Sequence, residues 1–381
     1  MKILHLLYES KGDYFGIGGV GVRAYEIYKH LKDRHDITLL CKKYIGAKDA
    51  EIEGLRHIFV GVESKSLTKT LLSYAYHCSW FVKKFGKDYD IIIEEFSPAI
   101  PTFLPFFTDK PIILQVQGYT GKLYFSKYNL FFASALYLME QLRPKFYRNL
   151  IFVSSDTSKK FVLRKDSYVK FISNGISSDL LKVSPSEGDY LLYLGRIDIY
   201  GKGLDILVKA FEKFYKSFPD IKLLIAGDGR DVDEFNSMLM DLPEDVREKV
   251  ELTGWVTGKT KQDLLSKALF VVLPSRHEVQ PITALEAMAC GKAVIASDIT
   301  GFNFVTDNRA GISFKTGDAA SLAHAMRNCI TSNERNEMGK RGREWVKDFT
   351  WDRIALKYEG FLEDVISSWK QKCDITNSKK D

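Results

Sequence analysis

The stretch YLLYLGRIDIYGKGLDILVKAFEKFYKSFPDIKLLIAGDG, residues 190–229, decides the fold. YLLYLG is a short apolar run without polar alternation, the pattern of a strand buried on both faces. DILVKAFEKFYKSF repeats its apolar residues at helical spacing, and IKLLIAGDG returns to a buried strand that ends in glycines. Strand, helix and strand in so short a span form the repeating unit of a parallel sheet.

The alternation extends in both directions. Before residue 190 it gives the strands KILHLLYE, DITLLCKKY, HIFVGV, DIIIEEF, PIILQVQG and NLIFVSS. RAYEIYKHLKDR, LLSYAYHCSWFVKKF and an aromatic-rich stretch after residue 119 are the helices between them. After residue 229 it gives the strands KVELTGWV, ALFVVLPS and AVIASD, with VDEFNSMLMDL and SLAHAMRNC among the helices. The segment VKFISNGISSDLLKVSPSEGD interrupts the pattern with Asn174-Gly175, a serine-rich run, Pro185 and Gly188, and reads as a domain boundary. The expected architecture is α/β: two doubly wound Rossmann-like domains, residues 1–182 and 183–350, facing each other across a cleft that holds the ligand. A final helix, 351–372, is expected to pack back on the first domain, and 373–381 to form a flexible tail.

A length of 381 residues suits two domains, and 45% hydrophobic with 27% charged residues is ordinary for a globular protein. The five cysteines are scattered without a CxxC pair, which argues against a disulfide framework or a zinc site and for reduced thiols in a cytoplasmic protein. No apolar run reaches the roughly 18 residues that a spanning helix needs. The charge is uneven. Residues 1–180 carry 26 Lys and Arg against 18 Asp and Glu, whereas the remainder carries 29 against 31. A basic half implies either an anionic partner or a solvated basic surface. Within it, residues 119–148 combine many aromatics with Arg143, Lys145 and Arg148, a composition suited to peripheral contact with an anionic membrane, or to a core helix with a basic outer face. No nucleic-acid partner is expected.

Three places carry candidate chemistry. In FGIGGVGVRAYE, Gly16, Gly18, Gly19 and Gly21 separate the first strand from a helix; glycines let backbone amides approach a ligand. The spacing is not that of a dinucleotide fingerprint, and a tight turn is the simpler alternative. In YLGRIDIYGKGLD, Arg196 and Lys202 follow the first strand of the second domain, where two cations can hold a pyrophosphate and stabilise charge on a leaving phosphate. Alternatively they are surface cations, one of them paired with Asp198 or Asp205. The third place is EVQPITALEAMACGKAVIASD, residues 278–298, in which Glu278 lies in a loop and Glu286 on the helix that follows. Carboxylates accept hydrogen bonds that sugar and ribose hydroxyls donate. The helix start between them, with Pro281 in its first turn, suits phosphate. Gly227 and the pair Gly254 and Val256 end earlier strands and can line a base or ribose pocket. Taken singly, Glu278 is a capping or ion-pairing residue and Glu286 a solvated one. The histidines show no metal-binding grouping, although His277, beside Glu278, can line a sugar pocket.

Together these features resemble the retaining glycosyltransferases of the GT-B fold, glycosyltransferase family 4, also called glycosyl transferases group 1. The resemblance rests on Gly195-Arg196, Lys202-Gly203, Gly227-Asp228-Gly229, Leu273-Pro274-Ser275, Glu278 and Glu286 with seven residues between them, and Ala287-Met288-Ala289-Cys290-Gly291. It implies that Arg196 and Lys202 bind the donor pyrophosphate, that Glu286 holds the ribose and that Glu278 holds the transferred sugar. Gly18 and Gly19 would approach the donor phosphate or the acceptor. The implied activity moves a hexose from a UDP- or GDP-sugar to the hydroxyl of a glycan or lipid-linked acceptor, with retention and with no metal or bound cofactor. Two departures stand out. Gln117 occupies the place of the family's usual histidine and cannot exchange a proton near neutral pH. Val279-Gln280-Pro281-Ile282-Thr283 replaces Gly-Phe-Gly-Leu-Pro, so that Pro281 removes an amide donor while Gln280 and Thr283 add side-chain ones. These departures also admit two alternatives: a nucleotide-sugar-binding homologue without turnover, and a sugar-nucleotide epimerase on the same fold.

Overall fold

The computed structural model describes residues 1–12 and 18–377, with side chains to 375. Gly16 therefore lies outside the described residues. The chain divides into two compact units, residues 1–174 with 351–381, and residues 175–350.

The first unit is built on β1 (Lys2–Leu7), β2 (Asp36–Lys42), β3 (Ala50–Ile52), β4 (Leu55–Val60), β5 (Ile91–Glu95), β6 (Ile112–Val116), β7 (Asn149–Phe152) and β8 (Tyr168–Phe171). Their order in the sheet is β3-β4-β2-β1-β5-β6-β7-β8. Every pair is parallel except β3 with β4, a hairpin at the edge that turns through Glu53 and Gly54, both at positive φ. The strand β4 is the expected HIFVGV, whereas β3, three mostly exposed residues, has too little apolar content to read from the sequence. The strand β8 is the other edge, paired with β7 in register Asn149↔Tyr168. Its mostly exposed residues lie in the segment that reads as a boundary.

The second unit uses β9 (Tyr190–Leu194), β10 (Lys222–Ala226), β11 (Val250–Gly254), β12 (Val271–Leu273), β13 (Val294–Ser297) and β14 (Gly311–Phe314). They form an all-parallel sheet in the order β11-β10-β9-β12-β13-β14. One core, with Phe211, Phe214, Phe235 and Met326, covers one face. A second, with Ala284, Leu285, Met288 and Val305, covers the other. In both sheets the strand order reverses beside the first strand, at β1/β5 and at β9/β12, which are the places where doubly wound sheets open for a ligand.

The division falls at Asn174/Gly175 rather than after residue 182, because the short helix Ser178–Lys182 drops Leu180 into the second unit's core. The helix Trp351–Asn377 lies on the first unit. There Tyr358 meets Tyr28 at 6.3 Å between ring centroids, Glu359 holds Arg34 and His35, and Trp369 donates to the Asp109 carbonyl at 2.7 Å. Residues 373–377, expected as tail, continue this helix. CDITN contains neither glycine nor proline, and each residue added to an existing helix gains a backbone hydrogen bond at little cost. Among the described residues no helix is long and apolar enough to cross a membrane.

Candidate active site

In the second unit the expected residues converge on the carboxyl ends of β9, β10 and β12. After β9 the chain makes a short helix, Ile199–Lys202, whose N-cap Asp198 accepts from the Gly201 amide at 2.8 Å. Asp198 is therefore occupied locally. Gly203 closes the helix at φ 68°, and a Cβ there would stand 2.1 Å from the Pro274 carbonyl oxygen. Only glycine combines that left-handed conformation with so close an approach to the loop after β12. The approach brings Lys202 to Glu278, and the two form an ion pair in which Glu278 Oε1 also accepts from the Ser275 hydroxyl at 3.0 Å. The loop is tied down from its other side by Arg276. Its guanidinium forks onto Asp205 at 2.8 and 2.7 Å, donates to the Tyr200 carbonyl and stacks over the Tyr200 ring. Asp205 thus serves Arg276, and neither Asp198 nor Asp205 pairs with Lys202. His277, between Arg276 and Glu278 in the chain, is half-buried.

Arg196 follows β9 directly. Its side chain is exposed and, among the described residues, forms no ion pair, while its carbonyl accepts from the Tyr193 hydroxyl at 2.7 Å. A rigid backbone carrying an unengaged guanidinium is a good anchor for an anion. Gly227, at the end of β10, is forced by packing: a Cβ would lie 1.8 Å from the Gly195 carbonyl oxygen. Gly254 ends β11 at φ 70° with open space around it, and Val256 packs partly against the core.

The helix Ile282–Ala289 starts one residue later than expected. Pro281 is its N-cap, with ψ 126°, and no side chain caps the turn. A proline at the cap has extended ψ, so the amides of Ile282 and Thr283 lead the helix. Gln280 and Thr283 are half-buried beside it. Glu286 lies one turn on, nearly buried, and pairs with Lys261 at 2.6 Å. Lys261 sits on the helix Gly258–Lys267, and the sequence reading missed it. A lysine on a polar helix 25 residues from its partner gives no periodic or motif signal. The site thus consists of two carboxylate–lysine couples, Lys202 with Glu278 and Lys261 with Glu286, on either side of a helix start, with Arg196 beside them.

In the first unit, Gln117 follows β6. Its amide nitrogen donates to both oxygens of Glu95, at 3.1 and 3.0 Å. Glu95 is the buried last residue of β5; it also accepts from Gln115 at 2.5 Å and lies 3.2 Å from His5 Nε2. A carboxylate accepts only, so the amide must turn its nitrogen inward and its carbonyl oxygen away. Gln117 is therefore a fixed hydrogen-bond acceptor. Glu95 was missed as well, although two consecutive acids in the apolar strand DIIIEEF were a legible signal. Gly18 and Gly19 begin the helix Gly19–Lys29. The amides of Gly18 and Gly21 donate to Glu9 at 2.9 and 3.0 Å, so this helix start carries an internal carboxylate.

Residues 182–345 match the family Glycosyl transferases group 1. The matched residues lie within the second unit. The matched range contains Arg196, Lys202, Lys261, Glu278 and Glu286. A phosphatidyl-myo-inositol mannosyltransferase of Mycolicibacterium smegmatis is 32% identical over 203 residues, 51% of each chain. The chain spans between about half and two thirds of the length of the first curated relatives it matches. Among solved structures, a sucrose-phosphate synthase from Thermosynechococcus elongatus superimposes with a TM-score of 0.78 at 19% identity, over 97% of this chain and 100% of that one. The HepE protein of Anabaena in complex with UDP-glucose does so with a TM-score of 0.74 at 20% identity, over 97% and 100%. The fold is that of the GT-B glycosyltransferases.

Proposed function

We propose that this protein is a retaining hexosyltransferase that moves a hexose from a nucleoside-diphosphate sugar to the hydroxyl of a glycan or lipid-linked acceptor, without a metal. The observation that carries the reading is the pairing of each acidic residue with a lysine around one helix start. Ribose and hexose hydroxyls donate to carboxylates, whereas phosphates accept from ammonium and guanidinium groups. A nucleotide sugar presents those groups in the order ribose, diphosphate, hexose. Glu286 takes the ribose, Arg196 and Lys202 the diphosphate, and Glu278 the hexose hydroxyls. Gly227, Gly254 and Val256 line the nucleoside side, and Gln280, Ile282 and Thr283 face the sugar and phosphate. The UDP-glucose bound to the HepE protein and the mannosyl transfer to phosphatidyl-myo-inositol named for the mycolicibacterial relative support the donor and acceptor classes.

In the proposed step the bond from the anomeric carbon to the β-phosphate oxygen breaks and its electron pair stays on that oxygen. Lys202, held by Glu278, and the exposed guanidinium of Arg196 stabilise the charge as it develops. The acceptor oxygen bonds to the anomeric carbon on the face the phosphate leaves, and its proton passes to the phosphate oxygen. Gln117 accepts a hydrogen bond from a substrate hydroxyl and moves no proton. The test is incubation with a panel of UDP- and GDP-sugars, followed by measurement of free nucleotide. Release with one sugar nucleotide, lost in Glu278→Gln, supports the transferase; binding of the nucleotide without release identifies a non-catalytic homologue. A product that remains a nucleotide sugar of altered stereochemistry identifies an epimerase.

A further inference from the structure

The helix Leu130–Leu142, LFFASALYLMEQL, turns Ala133, Leu136 and Glu140 inward. Its exposed positions are Leu130, Phe131, Ala135, Leu138 and Leu142, and every one is apolar. Phe131 is 86% exposed and Leu130 74%. A surface helix ordinarily presents polar residues to water, so this helix has the reverse pattern. Phe131, Ala135, Leu138 and Leu142 follow one another at spacings of four, three and four, which makes a single stripe about 17 Å long.

Charge decides what covers this stripe. Between residues 119 and 148 the cations are Lys122, Lys127, Arg143, Lys145 and Arg148, and the single acid is Glu140. Glu140 and Arg143 are buried, so every charge that reaches the surface here is positive. A second copy of the chain placed face to face would set these cations against one another. An anionic bilayer neutralises them while its acyl boundary takes the stripe. We propose that the helix Leu130–Leu142 docks, lying in the interface plane, on the surface of an anionic lipid bilayer. The inward side of the same helix reaches the loop after β6: Glu140 accepts from the amides of Thr120 and Gly121, both at 2.7 Å. Docking therefore holds the loop that starts at Gln117 beside the bilayer, where a lipid-anchored hydroxyl is presented.

The test uses the full chain in sedimentation with vesicles of phosphatidylcholine alone and of phosphatidylcholine mixed with phosphatidylglycerol. The expected result is binding to the anionic vesicles that weakens as sodium chloride is raised. The pair Phe131→Asp and Leu138→Asp should lower the vesicle association constant at least about ten-fold without changing Tm, since both side chains are already exposed. Lys122→Ala and Lys127→Ala should each lower it by roughly five-fold. Met240→Asp, at an exposed apolar site in the other unit, should leave it unchanged. Absence of binding to anionic vesicles would overturn the proposal, as would equal binding by the Phe131/Leu138 variant. So would a concentration-dependent dimer that this variant dissolves, which would make a second copy the occupant. None of these readouts depends on sugar transfer, so failure here and failure of the transferase reading are distinguishable.

Discussion

Replacement of Lys202 by methionine separates a structural ion pair from a catalytic cation. Methionine keeps most of the alkyl stem and removes the charge. The lysine side chain is 30% exposed and that of Glu278 15%, so the pair is partly screened by water. Exposed pairs contribute about 0.2–1 kcal/mol, and Glu278 keeps the Ser275 hydroxyl when the lysine is gone. The stability cost should therefore stay below about 1 kcal/mol, or roughly 2–4 °C in Tm for a unit of this size. Turnover is another matter. A cation aimed at charge that appears only in the transition state acts like an oxyanion-hole donor, whose loss costs about 3–4 kcal/mol, or 10²–10³ in kcat. The expected outcome of Lys202→Met is a fall of that size in nucleotide release at saturating donor, a change in KM below about ten-fold, and a nearly unaltered melting curve. Calorimetry and steady-state release at several donor concentrations measure all three. Turnover within three-fold of the parent protein would refute the assignment, because it would make the lysine only the counterion of Glu278. A loss of Tm well beyond 4 °C would refute the other half of the reasoning.

Three further outcomes follow from other parts of the molecule. Glu95→Gln replaces one of the two carboxylate oxygens that hold the Gln117 amide with an NH2 donor, which should loosen the Gln117 side chain; kcat should fall more than KM rises, and a Gln117→Ala background should abolish the difference. Gly227→Ala forces a Cβ into the Gly195 carbonyl oxygen and should destabilise the second unit by at least about 1–3 kcal/mol in urea unfolding. Burial lowers the pKa of Lys292, which donates to the Ser186 carbonyl, to about 8. Between that value and the ordinary lysine value near 10.4, the unfolded chain binds more protons than the folded one, so stability from this group rises with pH across that window. The urea midpoint should show this rise between pH 8 and 10, and Lys292→Met should flatten it.

Much of the fold could be read from the strands because parallel strands buried on both faces announce themselves as uninterrupted apolar runs. The edges could not. The edge strands β3 and β8 are short and mostly exposed, so their composition looks like loop. The cations and acids after β9 and β12 stood out because they follow strand ends in a recognisable order. Their partners did not, since Lys261 and Arg276 act through contacts that depend on how one loop is folded against another. The placement of Pro281 at the cap rather than inside the helix is a difference of one residue, which backbone angles decide and residue type does not. Glu95 lies between these cases, visible as a charge in an apolar strand but mute about Gln117 until the register Glu95↔Gln115 sets the two strand ends side by side.

The last helix has a consequence for the order in which the protein is completed during synthesis. Ile354, Tyr358, Phe361, Leu362 and Val365 are all buried in the first unit, over the helix that begins at Gly19. The second unit, by contrast, is one continuous stretch from Gly175 to Thr350. A ribosome therefore delivers every residue of the second unit before it delivers the closing piece of the first. Until then Tyr28, fully covered in the finished protein, lacks the Tyr358 ring that packs on it. The half that is started first waits on the half that is made within it, and the nascent first unit is the stretch most in need of a chaperone.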